Sequence, residues 1–173
     1  MKLKTIWVLA LTAAIFMLAA GCAGSGGESS GDETEMTYQT APPALKFDIS
    51  TLLTGEQVKN AFGRPVGAPI VTDEDTSVRY SEVDGNGLDY VEIVIEEDTR
   101  ARFDEIVASI PDLTDTPNLG DAAKWGGEDG QGQLLCYSKG HMIQITVSDH
   151  AMSGDKQLTC ARELAAHVME AIR

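Results

Sequence analysis

Three cysteines and three histidines are the side chains of this 173-residue chain best suited to covalent or metal chemistry. Cys136 and Cys160 stand in segments that read as a buried strand and a buried helix stripe. A bond between them would close a loop of about 25 residues and contribute about 3 kcal/mol in the chain-entropy account. A disulfide Cys136–Cys160 is the expectation, with two buried free thiols as the alternative. No Cys-x-x-Cys spacing is present, so a redox-active pair is not expected. His141-Met142 and His150-Ala151-Met152 bring imidazole together with thioether, a combination that suits Cu(I). His141 begins a strand and His150 lies just past its end. At about 3.3 Å per residue the two stand nearly 30 Å apart, too far for one site. His167, on the last helix, is expected to be exposed.

Carboxylates are abundant but poorly patterned. Asp84-Gly85-Asn86-Gly87-Leu88-Asp89 opens like a calcium loop, yet Leu88 and Ile95 occupy positions where oxygen ligands are needed. A hairpin turn is expected instead. Asp73-Glu74-Asp75 and Glu96-Glu97-Asp98 read as solvated faces, with weak calcium binding between them as the alternative. There is no Gly-x-Ser-x-Gly elbow, no His-Glu-x-x-His and no phosphate-cradling glycine loop. The expectation is a protein that is not an enzyme, with no catalytic, metal or cofactor-binding residue assigned.

Cys22 has a different context. Lys2 and Lys4 precede an apolar run from Thr5 to Ala20, the plan of a secretory signal. The run is shorter than the roughly 20 residues a membrane-spanning helix needs. Its ending, Leu18-Ala19-Ala20-Gly21-Cys22, resembles the lipobox of bacterial lipoproteins, with Leu one step earlier than usual. The resemblance implies cleavage before Cys22, acylation of its sulfur with palmitate-type chains, and attachment to the cell membrane on its extracytoplasmic side. Ala23, in place of Asp, leaves an outer membrane open if the host has one. Loss of residues 1–21, which carry Lys2 and Lys4 and no acid, would take the net charge from −14 to −16. Such a charge repels nucleic acid and anionic head groups. Residues 22–43, rich in Gly, Ser and acids, have nothing to bury and read as a tether.

Residues 44–173 read as one domain. Thr54 and Gln57 form a capping box with Leu53 and Val58 as the staple, and Gly63 and Pro65 end that helix. Strands are expected at Ser77–Glu82 and Leu88–Ile95, then a helix from Asp98-Thr99 to Ile110 with Phe103, Ile106, Val107 and Ile110 in one stripe. Gln133–Ser138 and His141–Ser148 form a hairpin across Lys139-Gly140, with Cys136 opposite Ile143 and Leu134 opposite Ile145. A last helix spans about Asp155 to Ile172. The order predicts an α+β fold, an antiparallel sheet built from hairpins with helices packed against it. Hairpin then helix occurs twice, without a matching sequence repeat.

Asn118-Leu119-Gly120-Asp121-Ala122-Ala123-Lys124-Trp125 resembles a turn-to-strand motif of small bacterial surface lipoproteins carrying a domain of unknown function. The likeness covers about residues 50–173, and Asn118 replaces the usual first Gly. It implies no activity. In physical terms Gly120 permits a tight turn, Asp121 can accept backbone N–H groups and Trp125 begins a strand. The functional expectation is therefore a tethered interaction or ligand-sensing domain whose acidic surface meets a basic protein partner or a cationic ligand. The alternative is a small-molecule or metal binder with a pocket beneath the last helix and its hairpin.

Overall fold

The computed structural model describes residues 45–172, apart from 73, 74, 86 and 129. The expected signal segment, Cys22 and the expected tether lie outside the described residues. The chain folds as α+β: seven strands form one antiparallel sheet, with three helices packed against it. In chain order these are α1 (Gly55–Phe62), β1 (Ile70–Thr72), β2 (Ser77–Ser81), β3 (Tyr90–Glu97) and α2 (Arg100–Ser109). Then follow β4 (Thr114–Asp115), β5 (Ala122–Glu128), β6 (Gln131–Ser138), β7 (His141–Ser148) and α3 (Gly154–Ala171). The sheet order is β1-β2-β3-β7-β6-β5-β4. Two meanders, of three and four strands, thus meet at the β3–β7 pair. α2 carries the chain from the middle of the sheet to its far edge. The twofold rhythm of the sequence thus corresponds to one meander followed by α2 and a second followed by α3.

Local chemistry sets the ends of the elements. The Thr54 hydroxyl accepts the Gln57 N–H at 3.2 Å, and the Thr54 N–H donates to Gln57 Oε1 at 2.8 Å. Leu53 and Val58 are buried beside this box, as a hydrophobic staple requires. Gly63, at φ 75°, closes α1 by donating to the Lys59 carbonyl. Lys139 and Gly140, at φ 53° and 80°, make the two-residue turn of the β6–β7 hairpin, whose twist matches that of the strands. Cys136 pairs with Ile143 and Leu134 with Ile145, the register expected.

One face of the sheet carries Val91, Ile93, Ile95, Leu134, Cys136, Ile143, Ile145 and Val147. It packs on Val58 and Phe62 of α1 and on Ala161, Leu164, Ala165 and Val168 of α3. The other face holds a smaller cluster where Phe103 of α2 meets Leu135 and Met142. Ile106, Val107 and Ile110 are only half-buried there, because α2 spans a corner of the sheet and not its width. β1 and β4, three and two residues long, were too short for an alternating pattern.

The expected disulfide is absent: Cys136 and Cys160 are free thiols, both buried. Both face the same core, so burial was read correctly and distance was not. α3 runs in the direction of β6. Its Gln157 Oε1 lies 3.2 Å from where a Cβ on Gly132 would stand. At the other end Lys139 Nζ donates to the carbonyls of Met169 at 2.8 Å and Ile172 at 2.9 Å. Counting from Gly132 and Gln157 at about 3.3 Å per strand residue and about 1.5 Å per helix residue, Cys136 is about 13 Å along and Cys160 about 4.5 Å. An offset of about 9 Å exceeds the Cα spacing a disulfide can span, about 4.4–6.8 Å. Burial pushes both thiols up to about 12. They pack as small apolar groups and not as nucleophiles.

Candidate functional site

The segment between β4 and β5 and the first turns of α2 enclose an open groove of about 580 Å³. Asn118 and Gly120, at φ 62° and 61°, turn the chain around Leu119, which is buried. The turn is held tightly, since the Asp121 N–H donates to the Tyr137 carbonyl at 2.8 Å. Phe103, Val107, Leu119, Ala122 and Ala123 supply the apolar lining. The rim is charged. Arg100 Nε meets Asp104 at 2.9 Å and Lys124 Nζ meets Asp115 at 2.7 Å. Asp121, the third carboxylate, is exposed, and among the described residues its side chain accepts only the Lys139 backbone N–H, at 3.4 Å. With both cations matched, the groove keeps one carboxylate in excess. The sequence had marked Gly120 and Asp121 for the turn. The contribution of α2 to the same concavity, through Arg100, Phe103 and Asp104, was not readable from either segment alone. β5 begins at Ala122, three residues ahead of the expected Trp125.

A second polar centre lies at the opposite end of the sheet. Gly63 and Pro65 fix the chain on either side of Arg64, whose guanidinium gathers three carboxylates. Nη1 lies 3.2 Å from both Glu82 and Asp89, and Nη2 lies 3.0 Å from Asp149. Asp149 is 1% exposed and also accepts the Ala151 N–H at 2.8 Å. His150 donates its backbone N–H to Asp89 at 3.4 Å and turns Nδ1 toward the same oxygen at 3.5 Å. Sequence reading missed this centre. Its partners lie 18, 25 and 85 residues from Arg64, so no local pattern exists to find. The chemistry is that of a structural pin, with every carboxylate turned to one guanidinium.

This centre predicts an acid limb. Burial opposes the charge on Asp89, but the hydrogen bonds from His150 and the charge of Arg64 outweigh it, and its carboxyl is held below the ordinary value. A carboxylate depressed in the fold stabilises it above the unfolded value of about 4, and that stabilisation is lost as pH falls through the lowered value. The urea midpoint should therefore drop on acidification below about pH 4, and less steeply in Asp89→Asn. Equal slopes in the two proteins would place the acid limb elsewhere.

The other sequence candidates scatter. His141 Nδ1 lies 3.1 Å from the Lys139 carbonyl, its ring against Phe47. His150 is at the far end of β7, and His167 is half-buried on α3. Met142 packs under α2, while Met152 packs on the opposite face. Among the described residues no three His, Cys, Asp or Glu side chains are grouped to hold a metal ion. Asp89, at the end of the calcium-like segment, is bound to Arg64. Of the acidic runs, Glu97 pairs with Lys46 at 3.4 Å. Burial first, then the charge of Asp98, raises the Glu96 carboxyl. Residues 73 and 74 lie outside the described residues. The space beneath α3 and the β6–β7 hairpin is filled by Ala161, Leu164, Ala165 and Val168, each 0% exposed. A groove of about 400 Å³ opens instead beside the start of α3, toward Phe62 and Arg64 of the first helix and its exit.

Among known proteins, no family model matches the chain and no curated protein matches it. The likeness of Asn118–Trp125 to surface lipoproteins therefore rests on those residues alone.

Proposed function

We propose that this chain is an extracytoplasmic lipoprotein, anchored to the cell membrane through acyl chains on Cys22, whose domain binds a basic protein partner or cationic ligand without catalysing a reaction. The anchor is supported by the residues Leu18–Cys22 and the charged, then apolar, segment before them. The binding role is supported by one observation above others: the groove between α2 and Asp115–Lys124, with an apolar lining and three carboxylates against two cations. An ammonium or guanidinium group entering there would meet Asp121, and its methylene stem would lie on Phe103 and Val107. The acidic surface as a whole would speed the encounter and make it dependent on salt.

Two experiments test the two halves separately. Cys22→Ser should abolish labelling with radioactive palmitate and release the protein or trap its precursor. A Cys22→Ser protein that is still processed and membrane-bound overturns the anchor. For the groove, an oligolysine peptide serves as the probe. Asp121→Asn should weaken its binding by about tenfold at low salt, the scale of one charged contact. Affinity that is equal at low and high salt would remove the acidic surface from the binding reaction.

A further inference from the structure

The groove beside α2 holds more than a surplus carboxylate, because its charges fall in separate places. At one end Lys124 Nζ meets Asp115 at 2.7 Å, with the Asp115 side chain 84% exposed. An ion pair this open to water contributes little and reopens easily. Asp121 stands just before β5, three residues ahead of Lys124 and about 10 Å away along the chain. Ala122, between them in sequence, and Val107 of α2 give the groove a half-buried apolar lining. Arg100 is already engaged: its Nε binds Asp104 at 2.9 Å and its Nη1 donates to the Asp121 carbonyl at 3.4 Å. Thr116 lines the same groove and is 4% exposed. Its hydroxyl has no hydrogen-bond partner among the described residues, a costly state for a buried polar group.

From this arrangement we infer that the groove binds a free α-amino acid with a cationic side chain, of the lysine type. The inference rests on the proposed reading of the groove as a cation site and names the cation. A bare cation drawn to Asp115 would take it from Lys124 and leave that ammonium without a partner. An α-amino acid carries its ammonium and carboxylate on one carbon, so the two can pair with Asp115 and Lys124 together. The side-chain cation then reaches Asp121, the carboxylate that no cation of the groove answers among the described residues. Charge closes the count: three carboxylates and two cations line the groove, and the ligand adds one carboxylate and two cations. Fixed charges of both signs favour this ligand over one with either sign removed. The α-ammonium can also donate to the hydroxyl of Thr116, the neighbour of Asp115. The methylene stem lies over Val107 and Ala122, as apolar stems do beneath a charged head. A basic protein surface offers side-chain cations without an adjoining carboxylate, so it uses Asp121 and gains nothing from Lys124.

The test uses the full nitrogen-labelled chain in maltoside micelles, which carry no charge. L-lysine is the probe, titrated to millimolar concentration at low salt. It should shift the backbone amide resonances of Asp121 and Lys124 saturably. Cadaverine lacks the carboxylate, norleucine the side-chain ammonium and Nα-acetyl-lysine the α-ammonium. Each should bind about tenfold more weakly than lysine, the worth of one charged contact. Asp121→Asn should remove the preference for lysine over norleucine, and Lys124→Met the preference for lysine over cadaverine. Both side chains lie at the rim, so both variants should keep the thermal midpoint of the parent. Cadaverine that binds as tightly as lysine overturns the inference and leaves the groove a site for cations. So does oligolysine binding without lysine binding. No shift with lysine, cadaverine or oligolysine overturns the inference and the cation reading with it.

Discussion

Arg64→Met should lower the unfolding free energy by about 3–5 kcal/mol, the scale of stranding a buried charge. The size of the effect comes from Asp149, not from the count of ion pairs. Glu82 and Asp89 keep side-chain exposures of 24% and 17%, so water can take over part of their solvation. Asp149, at 1%, cannot be reached in that way. Methionine preserves the apolar stem over Phe62, but it leaves a buried charge with only the Ala151 N–H to stabilise it. Asp149→Asn should cost less, because an amide oxygen can still accept that N–H and no charge is stranded. The double substitution should then be less damaging than the sum of the two, the signature of residues in one network. Urea denaturation of the four proteins at neutral pH measures this. A loss below about 1 kcal/mol would class the centre with exposed ion pairs.

How far the sequence anticipated the structure follows from the range of each signal. The β6–β7 hairpin was legible to the residue pair, because a two-residue turn and alternating Leu134, Cys136, Ile143 and Ile145 leave one register. The capping box of α1 was equally local. Gly120 and Asp121 marked a turn, and the turn is there. What the sequence could not carry was distance between elements. Cys136 and Cys160 each read as buried and each is. Their separation depends on how α3 lies along β6, which no spacing records. Arg64 carried no signal of its own between a helix-ending glycine and a proline, and its three partners come from the two ends of the β2–β3 connection and from the β7–α3 connection. On the other face of the sheet, too, neighbours come from different strands. Glu92 lies within the expected strand Leu88–Ile95, but its alignment with Thr146 and Gln133 appears only once β3 pairs with β7 and β7 with β6.

Gly120→Ala should cost about 2–4 kcal/mol, and the comparison with Gly63→Ala shows why. Both glycines have positive φ, 61° and 75°, a region that costs an L-residue about 1–2 kcal/mol. Around Gly63 a Cβ would meet nothing within 4 Å, so Gly63→Ala should carry only that backbone cost. At Gly120 the Cβ would lie 2.7 Å from the Tyr137 carbonyl oxygen, with Met169 Sδ at 3.2 Å behind it. The carbonyl cannot easily withdraw, because it is the acceptor of the Asp121 N–H at 2.8 Å. Relief therefore requires the turn to move away from β6, taking Asp121 and the wall of the α2 groove with it. Oligolysine binding should fall in Gly120→Ala even under conditions where the protein remains folded, and should be unchanged in Gly63→Ala. Equal losses of stability in the two variants would mean that the close approach to Tyr137 does not hold the turn. Retained binding in a destabilised Gly120→Ala would mean that the groove does not depend on it.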